Sequence, residues 1–444
     1  MRSLALVDGE HHPPVTRAAL TAARERGHEI VAALQLGGTE KLATVGSALD
    51  LGVPTREAGA DPAAALRAAI EELAPDAILD LSDEPVLGYR ERMELAAVAL
   101  VAGVPYMGAD FRLDPPPQDR VIATPALAVI GTGKRTGKTA IAGSVARLAA
   151  RRGLRPVVVA MGRGGPPQPT VVPAGFVDLE HLVGLVAAGE HGASDYLEDA
   201  ITTGVTTVGA RRAGGGLAGA PYLSNVREAA ETAASLEPGL VLLEGSGAAV
   251  PPLAWDAGIL VVPASAPPEY LGGYLGPYRL LRSDLVVVTM VTGPTGPENL
   301  SALRSHVRRY LGEASFIATN FAPVPLEDVR GKEAFYTTTA PPAVVGGLIQ
   351  RLEADHGCTV VGWSARLADR AGLAEDLETA HGYDVLLTEL KAAAVDTGVA
   401  KARERGAEVV FVDNRAESVE GSVDLETALG SVIDIALERA GNRR

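Results

Sequence analysis

The chain has 444 residues, a formal net charge of −15 and a single cysteine, Cys358. That length exceeds one ordinary domain and predicts two or three compact units. The acidic balance excludes general nucleic-acid binding, which needs a positive field to displace counterions, and one cysteine excludes an intrachain disulfide.

A local basic pocket for a small anion remains compatible with that charge. Apolar residues reach 47% while aromatics are only 4%, a composition suited to parallel α/β architecture with Val/Leu-rich strands and Ala-rich helices. The opening Met1–Val7 turns acidic at Asp8 and lacks the apolar core of a signal peptide. Leu95–Val104 is too short to cross a bilayer. A cytoplasmic protein without membrane attachment is expected; a homodimer is left open.

In chain order, the first unit reads strand Leu4–Val7, helix Val15–Arg26, strand Glu29–Leu34 and helix Pro62–Leu73. Strand Ala77–Leu81, helix Glu91–Val101 and the short strand Pro105–Met107 follow. This alternation predicts a Rossmann-like domain over residues 1–124, closed by the stiff linker Asp114–Asp119. Asp8, Glu10, His11 and His12 follow the first strand and are candidates for substrate-phosphate binding or proton transfer. A merely polar loop is the bland alternative. Arg90, Arg92 and Arg112 would add positive charge nearby, and Asp80 and Asp83 would be solvated or capping residues.

The second unit, residues 125–350, opens with strand Ala126–Ile130, the turn Gly131-Thr132-Gly133-Lys134-Arg135-Thr136-Gly137, and a helix from Lys138-Thr139. Strand, glycine-rich turn and helix in this order form a phosphate-binding loop. Backbone N–H groups and the helix dipole would cradle ATP phosphates, Lys138 would reach the β- and γ-phosphates, and the Thr139 hydroxyl would ligate Mg²⁺. The spacing departs from G-x-x-x-x-G-K-[ST], because Thr132 occupies the first glycine position; Lys134 and Arg135 add charge at the crown.

Glu244 ends the apolar run Leu240–Leu243 and is the candidate second Mg²⁺ ligand. Arg163, in a glycine-rich turn after strand Pro156–Ala160, is a candidate for catalysis and substrate binding beside Lys138 and Lys134. Arg211 and Arg212 precede the run Gly214–Gly219, which reads either as a mobile lid bringing guanidinium groups onto the substrate or as a flexible solvated loop. Asp195, Glu198 and Asp199 read as a solvated helix face or as charge at a helix N-terminus, without a catalytic role. Asn320 and the segment Val329–Lys332 are candidates for reading the nucleotide base. Further strands are expected at Ile259–Val262, Leu285–Thr289 and Ser315–Thr319. The tail, residues 351–444, adds strands Thr359–Gly362, Val385–Leu387 and Val409–Val412, as a third lobe or a continuation of the same sheet. Cys358 reads as buried filler.

Taken together, Gly131–Thr139, Met161–Pro166, Ala193–Ala200, Gly209–Gly216, Glu244–Gly247 and the opening Asp8–Pro13 resemble the cyclic 2,3-diphosphoglycerate synthetases over nearly the whole chain. The Met-Gly-Arg-Gly-Gly turn and the Arg-Arg/Gly segment are the more specific parts. That resemblance implies an ATP-dependent ligase that closes 2,3-diphosphoglycerate into an intramolecular phosphoanhydride, with release of ADP and phosphate. Two alternatives are carried forward. One is another small-molecule kinase or a carboxylate-activating ligase of the dethiobiotin-synthetase type, which shares a similar Glu-Gly-Ser-Gly turn. The other is a nucleotide-dependent switch that binds a partner protein.

Overall fold

The computed structural model describes residues 1–38, 40, 50–292, 297–312, 315–419 and 423–443. Its N-terminal part comprises β1 (Arg2–Val7), α1 (Pro13–Glu25), β2 (Glu29–Gln35), β3 (Thr55–Glu57), α2 (Pro62–Leu73), β4 (Ala77–Asp80), α3 (Tyr89–Val101), β5 (Tyr106–Met107) and β6 (Arg112–Leu113). The strands form one sheet in the order β3-β2-β1-β4-β5-β6, parallel except for β6. The chain leaves β1 toward β2 on one side and β4 lies on the other, so the carboxyl ends of β1 and β4 flank a topological switch point. Local chemistry explains the elements. Asp61 caps α2 by accepting from the Ala64 amide at 3.0 Å, and Pro62 supplies the preset φ of a first helical residue. Leu95–Leu100 of α3 are buried on every side, as its unbroken apolar run requires.

The next elements are β7 (Ala126–Gly131), α4 (Lys138–Arg151), β8 (Pro156–Gly162), β9 (Thr170–Val172), α5 (Leu179–Ala187), α6 (Asp195–Thr203), β10 (Thr206–Ala213), β11 (Leu223–Ser224), α7 (Val226–Ser235) and β12 (Leu240–Glu244). Then come β13 (Ala257–Pro263), α8 (Glu269–Gly272), α9 (Gly276–Leu281), β14 (Leu285–Thr289), α10 (Pro297–Leu311) and β15 (Phe316–Pro325). The tail holds β16 (Glu333–Thr337), α11 (Pro342–His356), β17 (Thr359–Ser364), α12 (Arg370–Thr379), β18 (Val385–Glu389), α13 (Ala400–Glu404), β19 (Glu408–Ser418) and α14 (Leu425–Gly441).

All of these strands join one 13-stranded sheet ordered β11-β10-β8-β12-β7-β13-β14-β15-β19-β18-β16-β17, with β9 on β10. Its centre, β8-β12-β7-β13-β14, is wholly parallel and buried on both faces, which is why these strands are continuous Val/Ile/Leu runs. The tail continues the same sheet. β15 pairs parallel with β14 through Phe316–Ala318 and antiparallel with β19 from Thr319 onward. Only the apolar halves of β15 and β19 were expected as strands; their polar or proline-bearing halves, Asn320–Pro325 and Asp413–Ser418, pair with each other. The N-terminal core is continuous with the larger sheet's surroundings, because Ala218, Leu275 and Tyr278 pack among its buried residues.

Two expectations about local structure are corrected. Arg211 and Arg212 belong to β10, a strand held between β8 and β9, and so are not carried by a mobile lid. Gly209 hides the strand from a hydrophobicity reading, yet its missing side chain is required because the Tyr196 ring lies 2.8 Å from where a Cβ would sit. The acids of α6 do not form a solvated face. Glu198 and Asp199 are buried, and only Asp195 at the first turn remains open to solvent.

Candidate active site

Between β7 and α4 the chain makes its phosphate loop, with positive φ at Arg135 (59°) and Gly137 (90°). Gly131 is needed for close approach, since a Cβ there would meet Thr136 Oγ1 at 2.8 Å and Lys138 Cδ at 3.0 Å. The left-handed positions fall elsewhere than Thr132, so a side chain at this variant position is accommodated. The loop is pinned from β14, whose Thr289 hydroxyl donates to the Thr136 carbonyl at 2.8 Å. Lys134 and Arg135 stand exposed at the crown.

Lys138 is buried under that crown, and its Nζ donates to the Gly133 carbonyl at 2.8 Å and to Thr136 Oγ1 at 3.3 Å. Burial lowers its pKa to about 8; Arg163 and Arg212 push the same way, against Glu244 and Asp195. Thr139, one residue on, donates its hydroxyl to Glu244 Oε1 at 2.8 Å. The parallel register that sets Glu244 beside Val129 makes this contact. Glu244 is buried, and its second oxygen, Oε2, has no hydrogen-bond partner. These hard oxygens are of the kind a divalent cation takes together with nucleotide phosphates.

Arg163 leaves the end of β8 in a turn that lies flat on β10, because a Cβ on Gly165 would fall 1.9 Å from the Ala210 carbonyl oxygen. It is exposed, and it converges with Arg212 above the turn after β12. A Cβ on Gly247 would meet Arg163 Nη2 at 2.8 Å and Arg212 Nη2 at 3.0 Å. Arg212 is fixed by donating to the Ser246 carbonyl at 2.7 Å and the Gly214 carbonyl at 2.8 Å, while its Nε is left unpartnered. Burial and the nearby Arg163 charge lower its pKa. Two guanidinium groups held this close repel each other unless an anion lies between them. Arg211 sits beside Gly162 in the β8–β10 register, its amide donating to Asn225 Oδ1 at 2.7 Å. Lys138, Thr139, Glu244, Arg163 and Arg212 are thus gathered at one sheet edge.

The N-terminal candidates occupy a different edge. Asp8 is buried, and its Oδ1 accepts from the Glu10 amide at 3.0 Å, the His11 amide at 3.2 Å and His11 Nδ1 at 2.8 Å. Its Oδ2 accepts from the Asp83 amide at 2.7 Å. The carboxylate therefore organises its own loop and orients His11, while Glu10, His11 and His12 keep solvent-facing surface. Asp80, expected to be solvated or capping, is a buried acceptor for Ser82, Arg92 and Tyr106. Arg90, Arg92 and Arg112 are paired with Glu269, Asp80 and Asp114 rather than free.

The base-reading candidates separate. Lys332 pairs with Glu408, and Arg330 covers Gly357, a turn built within the tail. Asn320 accepts from Thr292 at 3.1 Å, and its neighbour Phe321 abuts the phosphate loop, its ring 2.3 Å from where a Gly137 Cβ would lie. Phe321 was missed because it lies in the half of β15 that reads as loop. Glu198, Asp199 and Lys391 were missed too. Lys391, after β18, reaches α6 and pairs with Glu198 at 3.1 Å. Two consecutive acids, Glu198 and Asp199, set among the apolar Tyr196, Leu197 and Ala200 were the available signal. Cys358 is buried as expected.

Comparison with known proteins agrees with this geometry. Family models of cyclic 2,3-diphosphoglycerate synthetase match the N-terminal domain over residues 2–114, the P-loop domain over 126–320 and the C-terminal domain over 325–415. A relative of that name from Rubrobacter xylanophilus is 49% identical over 95% of this chain and 96% of its own. Those from Methanothermobacter thermautotrophicus and Methanothermus fervidus are 40% and 37% identical, over 98% and 100% of this chain and 96% and 99% of theirs. The chain belongs to the cyclic 2,3-diphosphoglycerate synthetase family.

Proposed function

We propose that this P-loop enzyme is an ATP-dependent ligase that closes the two phosphates of 2,3-diphosphoglycerate into a cyclic phosphoanhydride, releasing ADP and phosphate. The observation that carries the proposal is the convergence of Arg163 and Arg212 over Gly247, beside the phosphate loop. Bringing two phosphates of one small molecule together opposes their mutual repulsion, so the protein must supply positive charge and fixed orientation. Planar guanidinium forks suit phosphate oxygens.

Gly131–Thr139 bind the ATP phosphates. Lys138 gives up its loop carbonyl for the β- and γ-phosphates, and Lys134 and Arg135 approach from the crown. Thr139 and Glu244 hold Mg²⁺, consistent with the unpartnered Glu244 Oε2. The ion would neutralise phosphate charge during transfer. Arg163, Arg211 and Arg212 orient the substrate. One substrate phosphate accepts the γ-phosphoryl group with release of ADP. An oxygen of the other then attacks the phosphorus of that first phosphate, forming the ring P–O–P bond while the former γ-phosphate leaves as inorganic phosphate. Glu10, His11 and His12 contribute from the N-terminal loop, with Asp8 holding the His11 ring.

The test is ADP release with and without 2,3-diphosphoglycerate, with products followed by ³¹P NMR. Substrate-dependent ADP and a cyclic phosphoanhydride are expected. Turnover stimulated only by a carboxylate metabolite, or only by a partner protein, would sink the proposal.

A further inference from the structure

The carboxyl groups of Asp199 and Glu244 lie next to each other in the interior, one from α6 and one from the end of β12. Asp199 is 1% exposed and Glu244 4%, and neither Asp199 oxygen nor Glu244 Oε2 has a hydrogen-bond partner. The nearby cations are engaged elsewhere. Lys391 is paired with Glu198, Arg147 with Asp413 and the Thr202 carbonyl, and Lys138 with the Gly133 carbonyl. Lys138 and Arg147 offset part of their charge from a distance, but neither donates to these oxygens. Adjacent buried carboxylates without a donor between them are strongly unfavourable, so they share a proton or hold a cation.

Place decides between the two. The remaining Glu244 oxygen already accepts from Thr139, in the first turn of α4, where nucleotide phosphates meet the protein. No group of three or more His, Cys, Asp or Glu side chains among the described residues could hold a metal unaided. A Mg²⁺ ion needs no such cage, because it is satisfied by one or two carboxylates together with phosphates and water. Asp199 is recruited from outside the phosphate loop and the strand that carries Glu244, so the two-ligand set of Thr139 and Glu244 becomes a three-ligand set.

We infer that Asp199 is a third protein ligand of the divalent cation, supplied by α6 and completing the site formed by Thr139 and Glu244. The inference rests on the nucleotide-site assignment above. Through Glu198 and Lys391, the same helix ties the cation site to the tail strand β18.

Mn²⁺ binding, read by electron paramagnetic resonance in the presence of ADP and without turnover, tests it. Asp199→Asn is expected to weaken ADP-dependent Mn²⁺ binding roughly tenfold or more, with metal-free ADP affinity unchanged. Glu198→Gln serves as the control for general disturbance of α6 and should have the smaller effect. Parental Mn²⁺ affinity in Asp199→Asn, with a raised melting temperature, would show a proton-sharing pair and overturn the inference. Should the variant not fold, parent protein carrying ¹³C-carboxyl aspartate still decides, because a coordinated aspartate carbon must couple to bound Mn²⁺. Absence of that coupling with Mn²⁺·ADP bound overturns the inference while leaving the nucleotide assignment standing. Failure of the parent to bind ADP at all removes both.

Discussion

At the carboxyl edge of the N-terminal sheet, Asp8 and Asp80 spend their oxygens on neighbouring amides, a hydroxyl, a phenol and a guanidinium. At the same edge of the larger sheet, Glu244 keeps one oxygen unpartnered, Arg212 keeps its Nε, and Arg163 and Arg212 crowd each other over Gly247. Both edges lie where α/β proteins bind ligands, and both carry ionisable residues after parallel strands. The difference is satisfaction. A buried polar group that is already paired builds a loop, whereas one left unpaired is prepared for a ligand at a cost in stability.

The sharpest way to break this contrast is to substitute on each side. Lys138→Ala is expected to lower ligase turnover by about 10²–10³-fold, the loss typical of removing one preorganised charge-stabilising donor. Its melting temperature should not fall, because a buried ammonium with lowered pKa is removed. Turnover within a few-fold of the parent would count against the phosphate loop as the site of chemistry.

Next in size, Arg163→Ala is expected to raise the KM for 2,3-diphosphoglycerate about 10–100-fold, matching about 1.5–3 kcal/mol for a charge-assisted bond. Arg212→Ala should show a similar loss together with a lower melting temperature, because it also caps the Ser246 and Gly214 carbonyls. Equal stability losses for the two variants would contradict the assignment of exposed Arg163 to the substrate alone.

A pH dependence follows from Lys138. Its free-protein pKa is lowered to about 8, and bound polyphosphate favours the protonated form. Metal-free ADP affinity should therefore be level below pH 8 and fall up to about tenfold per pH unit above it, with proton uptake on binding in that range. Calorimetry in buffers of different ionisation enthalpy measures this, and affinity rising with pH would contradict it.

The smallest effect on catalysis is expected at the other edge. Asp8→Ala strands three partly buried amides and should destabilise the protein by about 1–2 kcal/mol in thermal melts, while ADP affinity stays at the parental value. A large loss of nucleotide binding would erase the distinction between the edges.

How much of this was legible in the sequence depends on how local each signal is. The phosphate loop was readable because strand, turn and helix are contiguous from Ala126 to Arg151. Glu244 was readable as an acid ending an apolar strand, although only the β12–β7 register brings it to Thr139. Arg212 was taken for part of a loop because β10 contains Gly209 and two arginines, and its strand character comes from β8 and β9 on either side. The acids of α6 looked solvated because Lys391 and Glu244 are far away in the chain. Likewise, β15 and β19 each looked half their length, since their polar halves are stable only when paired with each other.

The most direct test is calorimetric titration of metal-free ADP into the parent, Lys138→Ala and Asp8→Asn proteins. One site per chain is predicted in the parent, abolished by Lys138→Ala and retained in Asp8→Asn. Equal heats from the parent and Lys138→Ala, or loss of binding only in Asp8→Asn, would contradict a polyphosphate site built on the loop between β7 and α4.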